Sequence, residues 1–154
     1  EVIALKYAVE DIDAFRRIVD GAGEAAAMVC GMAEDPSIEY LSEGAVGFSS
    51  GMANFVPRMS LALLDAFRCG DIPEAQRLRE LMVPFEDFRG ERGARYSAAA
   101  LHVGMELSGL AGGPLIPFVE DVADEDRERV VDLMKILVAE EIRLGNPQPV
   151  GERG

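Results

Sequence analysis

The chain has 154 residues, enough for one ordinary domain with a core of its own. Hydrophobic residues make up 49%, which argues for a folded chain, and the formal net charge of −13 gives a surface that repels phosphate backbones and argues against nucleic-acid binding. No apolar run approaches the ~20 residues of a membrane span and no basic and apolar leader is seen, while Cys30 and Cys69 lack metal spacing, so a cytoplasmic protein with free thiols and no membrane partner is expected.

Val2-Ile3-Ala4-Leu5-Lys6-Tyr7 opens the chain. Four apolar residues in a row, two of them β-branched, predict a strand buried on both faces, as in a parallel sheet. Asp11 then caps a helix over about Ile12–Ala22, where Ile12, Phe15, Ile18 and Val19 form an apolar stripe and Gly21 and Gly23 end it. Ala26–Cys30 predicts a second short strand, closed by Gly31. Asp35-Pro36 has the form of a cap followed by proline, opening a helix to about Ser42. Gly44–Phe48 predicts a third strand, running into Ser49-Ser50-Gly51. Beyond Asn54 this alternation stops. Helices are predicted from Pro57 to Arg68, from an Asp71 cap with Pro73 in its first turn, over Ser97–Ser108, and from an Asp124 cap onward. Arg89–Arg95 is read as a polar break, Gly109–Pro117 as an extended connection, and the end of the chain as a loose tail.

The expected architecture is therefore three βα units followed by three helices. This suits an α/β fold of the (β/α)8 barrel type, whose sites lie at the C-terminal ends of the strands. An open doubly wound sheet is the runner-up, weakened in its nucleotide-binding form by the lack of a glycine-rich phosphate loop. A strand needing cover on both faces makes an uncomfortable first element, so the chain is expected to be the C-terminal part of something longer.

Lys6 closes the most apolar strand. It is one of two lysines, with Lys135, against thirteen arginines. An amine in apolar surroundings is biased toward its neutral form, which attacks carbonyl carbons. The plainer reading is a long stem packed on the sheet with its head in water.

Taken in order, the Val-Ile-Ala-Leu-Lys6-Tyr strand, Cys30-Gly31, the segment Gly44-Ala-Val-Gly47-Phe-Ser49-Ser50-Gly-Met-Ala-Asn54-Phe-Val-Pro57 and the Gly70-Asp71 step resemble one family. It is the dihydrodipicolinate synthase/N-acetylneuraminate lyase family of class I, Schiff-base aldolases. The resemblance implies a TIM barrel, with Val2–Tyr7, Met28–Cys30 and Ala45–Phe48 in register with strands six to eight and a three-helix C-terminal extension after them. Residues 1–55 would be the last three βα units, 56–145 the helical region and 146–154 a flexible tail. A complete barrel takes ~250 residues.

The same resemblance implies a catalytic role for Lys6, which matches the lysine that forms an imine with pyruvate or another 2-oxo acid. The protonated imine is an electron sink, from which aldol cleavage, condensation and dehydration follow. Gly31, Ser49 and Ser50 match substrate-facing positions: the glycine where a side chain would block substrate, the residue facing the imine through its backbone, and a possible hydroxyl donor. No metal or other cofactor is implied, and family members are commonly tetramers, so a homo-oligomer is expected. The family's relay tyrosine and carboxylate-gripping loop belong to strands outside this chain, and Tyr7, Tyr40 and Tyr96 are not assigned to the relay. Gly31-Met32-Ala33-Glu34 lacks half of the acid pair of sialic-acid lyases. Phe48-Ser49-Ser50 with Asn54-Phe55 is closer to the keto-deoxy-sugar-acid dehydratases. The alternative is a non-catalytic paralogue serving as a ligand-binding or assembly module. His102, alone, is read as a packing residue, and Glu34-Asp35 as a helix start. Arg89, Arg92 and Arg95 are read as a solvated loop, with a cationic edge near substrate as the sharper option.

Overall fold

A computed structural model describes residues 2–110 and 113–145. In chain order the elements are β1 (Ala4–Tyr7), α1 (Ile12–Ala22), β2 (Ala27–Cys30), α2 (Ser37–Ser42), β3 (Gly47–Phe48), a 3-10 turn (Met52–Asn54), α3 (Pro57–Arg68), α4 (Ile72–Ala94), α5 (Ala99–Leu107) and α6 (Asp124–Gly145). The strands form one parallel sheet in the order β1-β2-β3, with Lys6 opposite Val29, Tyr7 opposite Cys30, and Cys30 opposite Phe48. The α/β class and the strand-helix alternation are as the sequence predicts.

Local chemistry explains most boundaries. The Asp11 carboxylate accepts from the Ala14 N–H at 2.8 Å and starts α1. Phe15 then buries completely against Tyr40, ring edge to ring face at 4.8 Å, and packs on Tyr7. Met28 and Cys30 alternate with Ala27 and Val29 along β2, and the first pair joins Phe15, Tyr40 and Leu41 in a small core beneath the sheet. A larger core lies among the later helices. Met59 and Leu63 of α3 meet Leu78, Met82, Phe85 and Phe88 of α4, Val103 of α5, and Val130, Met134 and Leu137 of α6. Phe48 touches both cores, so the end of β3 is where sheet and helices join.

Several expectations change. β1 is shorter than Val2–Tyr7, and it is open rather than buried: Ile3 is 78% and Leu5 41% exposed, because no described element covers these faces and only one edge is paired. β3 begins at Gly47, not Gly44. Gly44 adopts φ +101°, and the Ala45 N–H bonds back to the Tyr40 carbonyl, holding this stretch to the end of α2. Asp35 does not cap α2. Its carboxylate pairs with Arg79 at 2.8 Å, while the Ser37 hydroxyl and N–H both reach the Glu34 carbonyl. The break after α4's main run is confined to Glu91–Ala94, where Arg92, Gly93 and Ala94 take positive φ. Asp124 lies within the first turn of α6, and the Ala123 carbonyl accepts the first helical bonds. The expected loose tail at 146–154 lies outside the described residues.

Candidate active site at the C-terminal ends of the strands

Parallel register brings the predicted residues to one end of the sheet. Lys6 stands opposite Val29, and Val29 opposite Gly47, so these three share a face. Tyr7 takes the other face, packing on Phe15 and donating its hydroxyl to the Asp11 carbonyl. The lysine therefore projects from the face turned away from α1 and α2. One residue past each strand, the ladder continues. The Gly31 N–H donates to the Tyr7 carbonyl at 2.6 Å, and the Ser49 N–H to the Cys30 carbonyl at 2.8 Å. Lys6, Gly31 and Ser49 thus lie along the C-terminal rim. Lys6 is exposed and has no ion-pair partner among the described residues. The enclosure invoked for its amine is not supplied by those residues.

Gly31 has a tighter reason to be glycine than room for substrate. A Cβ there would stand 2.7 Å from the Ala8 Cβ and 2.8 Å from the Tyr7 carbonyl oxygen. Glycine is thus required where β2 leaves the sheet against the end of β1. Ser50 is held on two sides: its Oγ accepts from the Ala53 N–H at 2.9 Å and lies 3.1 Å from the Ser60 Oγ.

Glu34, read from sequence as part of a helix start, is instead fully buried beside this rim. Its Oε1 accepts from the Ser60 hydroxyl at 2.9 Å, and its Oε2 has no partner among the described residues. Burial pushes its carboxyl up to about 7, with the Glu86 carboxylate adding to the rise and the Ser50 and Ser60 hydroxyls opposing it. Burial likewise raises Glu86, against the pull of Arg89, and raises the Cys30 thiol. Ser60 carries a signal in the sequence that no local motif marks: it sits between Met59 and Leu63 on the buried stripe of α3, where a polar residue requires a buried partner.

The arginine edge does not survive as free charge. Arg89 clasps Glu86 through 2.7 Å contacts, Arg92 donates to Asp126 at 3.0 Å, and Arg95 pairs with Glu120. The tyrosine hydroxyls are similarly committed, Tyr40 to the Val9 carbonyl and Tyr96 to Asp126. Tyr96 lies in the turn between α4 and α5. His102 is on α5 as expected, its Nδ1 buried and without a partner among the described residues. A surface cleft of about 500 Å³ lies among Glu10, Met32, Asp35, Glu86, Asp87 and Glu91, and its carboxylates repel an anionic ligand. Among the described residues no cluster of His, Cys, Asp or Glu is arranged to hold a metal ion, and no helix is long and apolar enough to cross a membrane.

The fold is a parallel α/β unit with a lysine near the end of its first strand, and comparison with known proteins makes the family definite. The Dihydrodipicolinate synthetase family model matches residues 1–137, and the chain belongs to that family. It is 33% identical over 141 residues to a probable 5-dehydro-4-deoxyglucarate dehydratase from Saccharopolyspora erythraea, covering 90% of this chain and 45% of that protein. A similar relative from Xanthobacter autotrophicus is 32% identical, with 86% and 44% covered. Among solved structures, dihydrodipicolinate synthase from Oceanobacillus iheyensis superposes with a TM-score of 0.83 at 30% identity, over 89% of this chain and 46% of that one. A sialic acid aldolase from Ruminococcus gnavus shares the fold, with a TM-score of 0.75 at 16% identity over 88% of this chain and 44% of that one. The chain spans less than half the length of these relatives.

Proposed function

We propose that this chain supplies the nucleophile-bearing part of a Schiff-base lyase acting on a keto-deoxy sugar acid or a related 2-oxo acid. The observation that carries the reading is the position of Lys6. It stands one residue before the end of a parallel strand, on the sheet face shared with Val29 and Gly47, and at the same end of the sheet as Gly31 and Ser49, which follow β2 and β3. The likeness to probable 5-dehydro-4-deoxyglucarate dehydratases supports the sugar-acid class over the others. In this reading β1, β2 and β3 are strands six to eight of a (β/α)8 barrel, α3 completes the last βα unit, and α4, α5 and α6 are a three-helix extension. Residues 1–55 then hold the barrel strands, and the helical region of 56–145 opens with α3 ahead of the extension. The open faces of β1 are those that the remaining strands of such a barrel enclose.

The chemistry follows from the amine. The neutral Lys6 Nζ attacks the keto carbon, a C–N bond forms, and the carbonyl oxygen leaves as water. The protonated imine then accepts the electron pair released when the neighbouring carbon loses a proton. Departure of a β-hydroxyl as water completes a dehydration. Gly31 leaves the rim unobstructed, and Ser49 and Ser50 face the substrate through backbone and hydroxyl. Homo-oligomeric assembly and a cytoplasmic setting belong to the same reading.

Borohydride trapping tests it. The protein carrying this chain is incubated with pyruvate or a keto-deoxy sugar acid, reduced, digested and analysed by mass spectrometry. An adduct on the Lys6 peptide, lost in Lys6→Ala, is the expected result. A folded protein that yields no adduct with any 2-oxo acid overturns the reading and favours a non-catalytic paralogue.

A further inference from the structure

Glu34 has no part in the chemistry above, yet its burial and its bonding are specific. A serine hydroxyl carries one proton. With Glu34 ionised, Ser60 spends that proton on Oε1 at 2.9 Å. In the 3.1 Å contact between Ser60 and Ser50, Ser60 must then accept and Ser50 must donate. Ser50 already accepts from the Ala53 N–H, so its only proton points inward and none is left for a substrate. With Glu34 protonated on Oε1 the order reverses. The carboxyl O–H donates to Ser60, the Ser60 proton turns to Ser50, and the Ser50 proton is released toward the rim.

We propose that Glu34 is a positioning residue that acts through Ser60 to set whether the Ser50 hydroxyl donates toward an oxygen of the 2-oxo acid. This rests on the reading of Ser50 as substrate-facing. The groups around Glu34 are compatible with a carboxyl that changes state in place. From α4, Glu86 faces it, already clasped by Arg89. Cys30 approaches from the end of β2. Arg79, the nearby cation on α4, is held by Asp35. On α3 and the rim loop it meets the Ser60 and Ser50 hydroxyls, and its second oxygen is left without a fixed partner among the described residues.

Two measurements on the protein carrying this chain test the proposal. The first follows the Glu34 carboxyl by carbon-13 NMR as pH changes. Ser60→Ala removes a donor that favours the ionised form and is expected to raise the midpoint by about one unit. Ser50→Ala removes the other hydroxyl that favours it and raises the midpoint in the same direction. An unchanged midpoint in both variants overturns the proposal. The second measures the pyruvate concentration needed for half-maximal borohydride adduct on Lys6. In the wild type it rises roughly tenfold as pH climbs through the Glu34 midpoint, the worth of one donor to a charged acceptor. In Glu34→Gln and Ser60→Ala it is flat over that range. A step that persists in Glu34→Gln overturns the proposal and leaves Lys6 as the imine-forming residue. If no adduct forms at any pH, the imine reading fails instead, and the carboxyl titration alone decides whether Glu34, Ser60 and Ser50 are linked.

Discussion

Replacing Glu34 by glutamine gives a stability test whose size follows from the structure. Burial raises this carboxyl from 4.5 to about 7. In the unfolded chain the same group titrates near its ordinary value. Between roughly pH 4.5 and 7 the folded protein therefore holds a proton that the unfolded chain has released. Stability is greatest below this window, falls through it as pH rises, and is flat above it. About 2.5 units at 1.36 kcal/mol each correspond to ~3 kcal/mol lost across the window. Glutamine cannot ionise, so its profile lacks that decline, whatever constant offset the substitution brings. The assay is urea unfolding at several values between about pH 5 and 8, comparing wild type with Glu34→Gln. The carboxylates held low by arginine, such as Glu140 at about 2, lose their contribution only at more acid pH and do not mask the effect. Parallel profiles for the two proteins refute the reasoning.

Gly31→Ala forces a Cβ to within 2.8 Å of the Tyr7 backbone, which cannot swing aside, and is expected to cost about 1–3 kcal/mol in urea unfolding. Lys6→Ala, at an exposed residue with no ion-pair partner among the described residues, stays within about 0.5 kcal/mol of wild type while losing the borohydride adduct. Glu141→Ala removes the carboxylate that accepts from the Arg58 and Met59 N–H groups and from the Arg58 side chain, and should cost about 2 kcal/mol by the same assay. Tyr96→Phe takes away a 3.0 Å donor from buried Asp126, an expected loss of about 1–2 kcal/mol, read as a lowered melting temperature.

Local signals were strong enough to place α1 and α3 at their observed bounds, because Asp11, Pro57 and the apolar stripes act within a few residues of the helix they start. Strand ends were less legible. Gly44-Ala45 has strand composition, but a glycine at positive φ and the Ala45 bond to Tyr40 tie it to the helix before it, and bonding to β2 starts only with the Val46 N–H on the Met28 carbonyl. Burial of β1 could not be read from its residues either, since exposure depends on what stands beside a strand, and hydrophobicity states only what it tolerates. For the candidate site, the lysine and the glycine-serine rim were visible as an ordered series. Glu34 was not, because Glu-Asp-Pro is also the ordinary chemistry of a helix start. Its partner Ser60 comes from 26 residues further on, a pairing that no local window contains. The arginines failed for the same reason: Arg92 and Arg95 find their carboxylates 34 and 25 residues away.

The carboxylate of Glu141 has a bearing on how the chain assembles itself. Val56, at the head of α3, offers that helix no side-chain cap, so the free N–H groups of its first turn wait for a residue 83 positions downstream. On the ribosome α3 emerges well before α6, and its first turn has only water to bond until α6 has been made and folded back. Ser60 sits on that first turn. The start of the helix that carries Ser60 is thus anchored from the far side of the chain, through the Arg58 and Met59 N–H groups, only once α6 has docked.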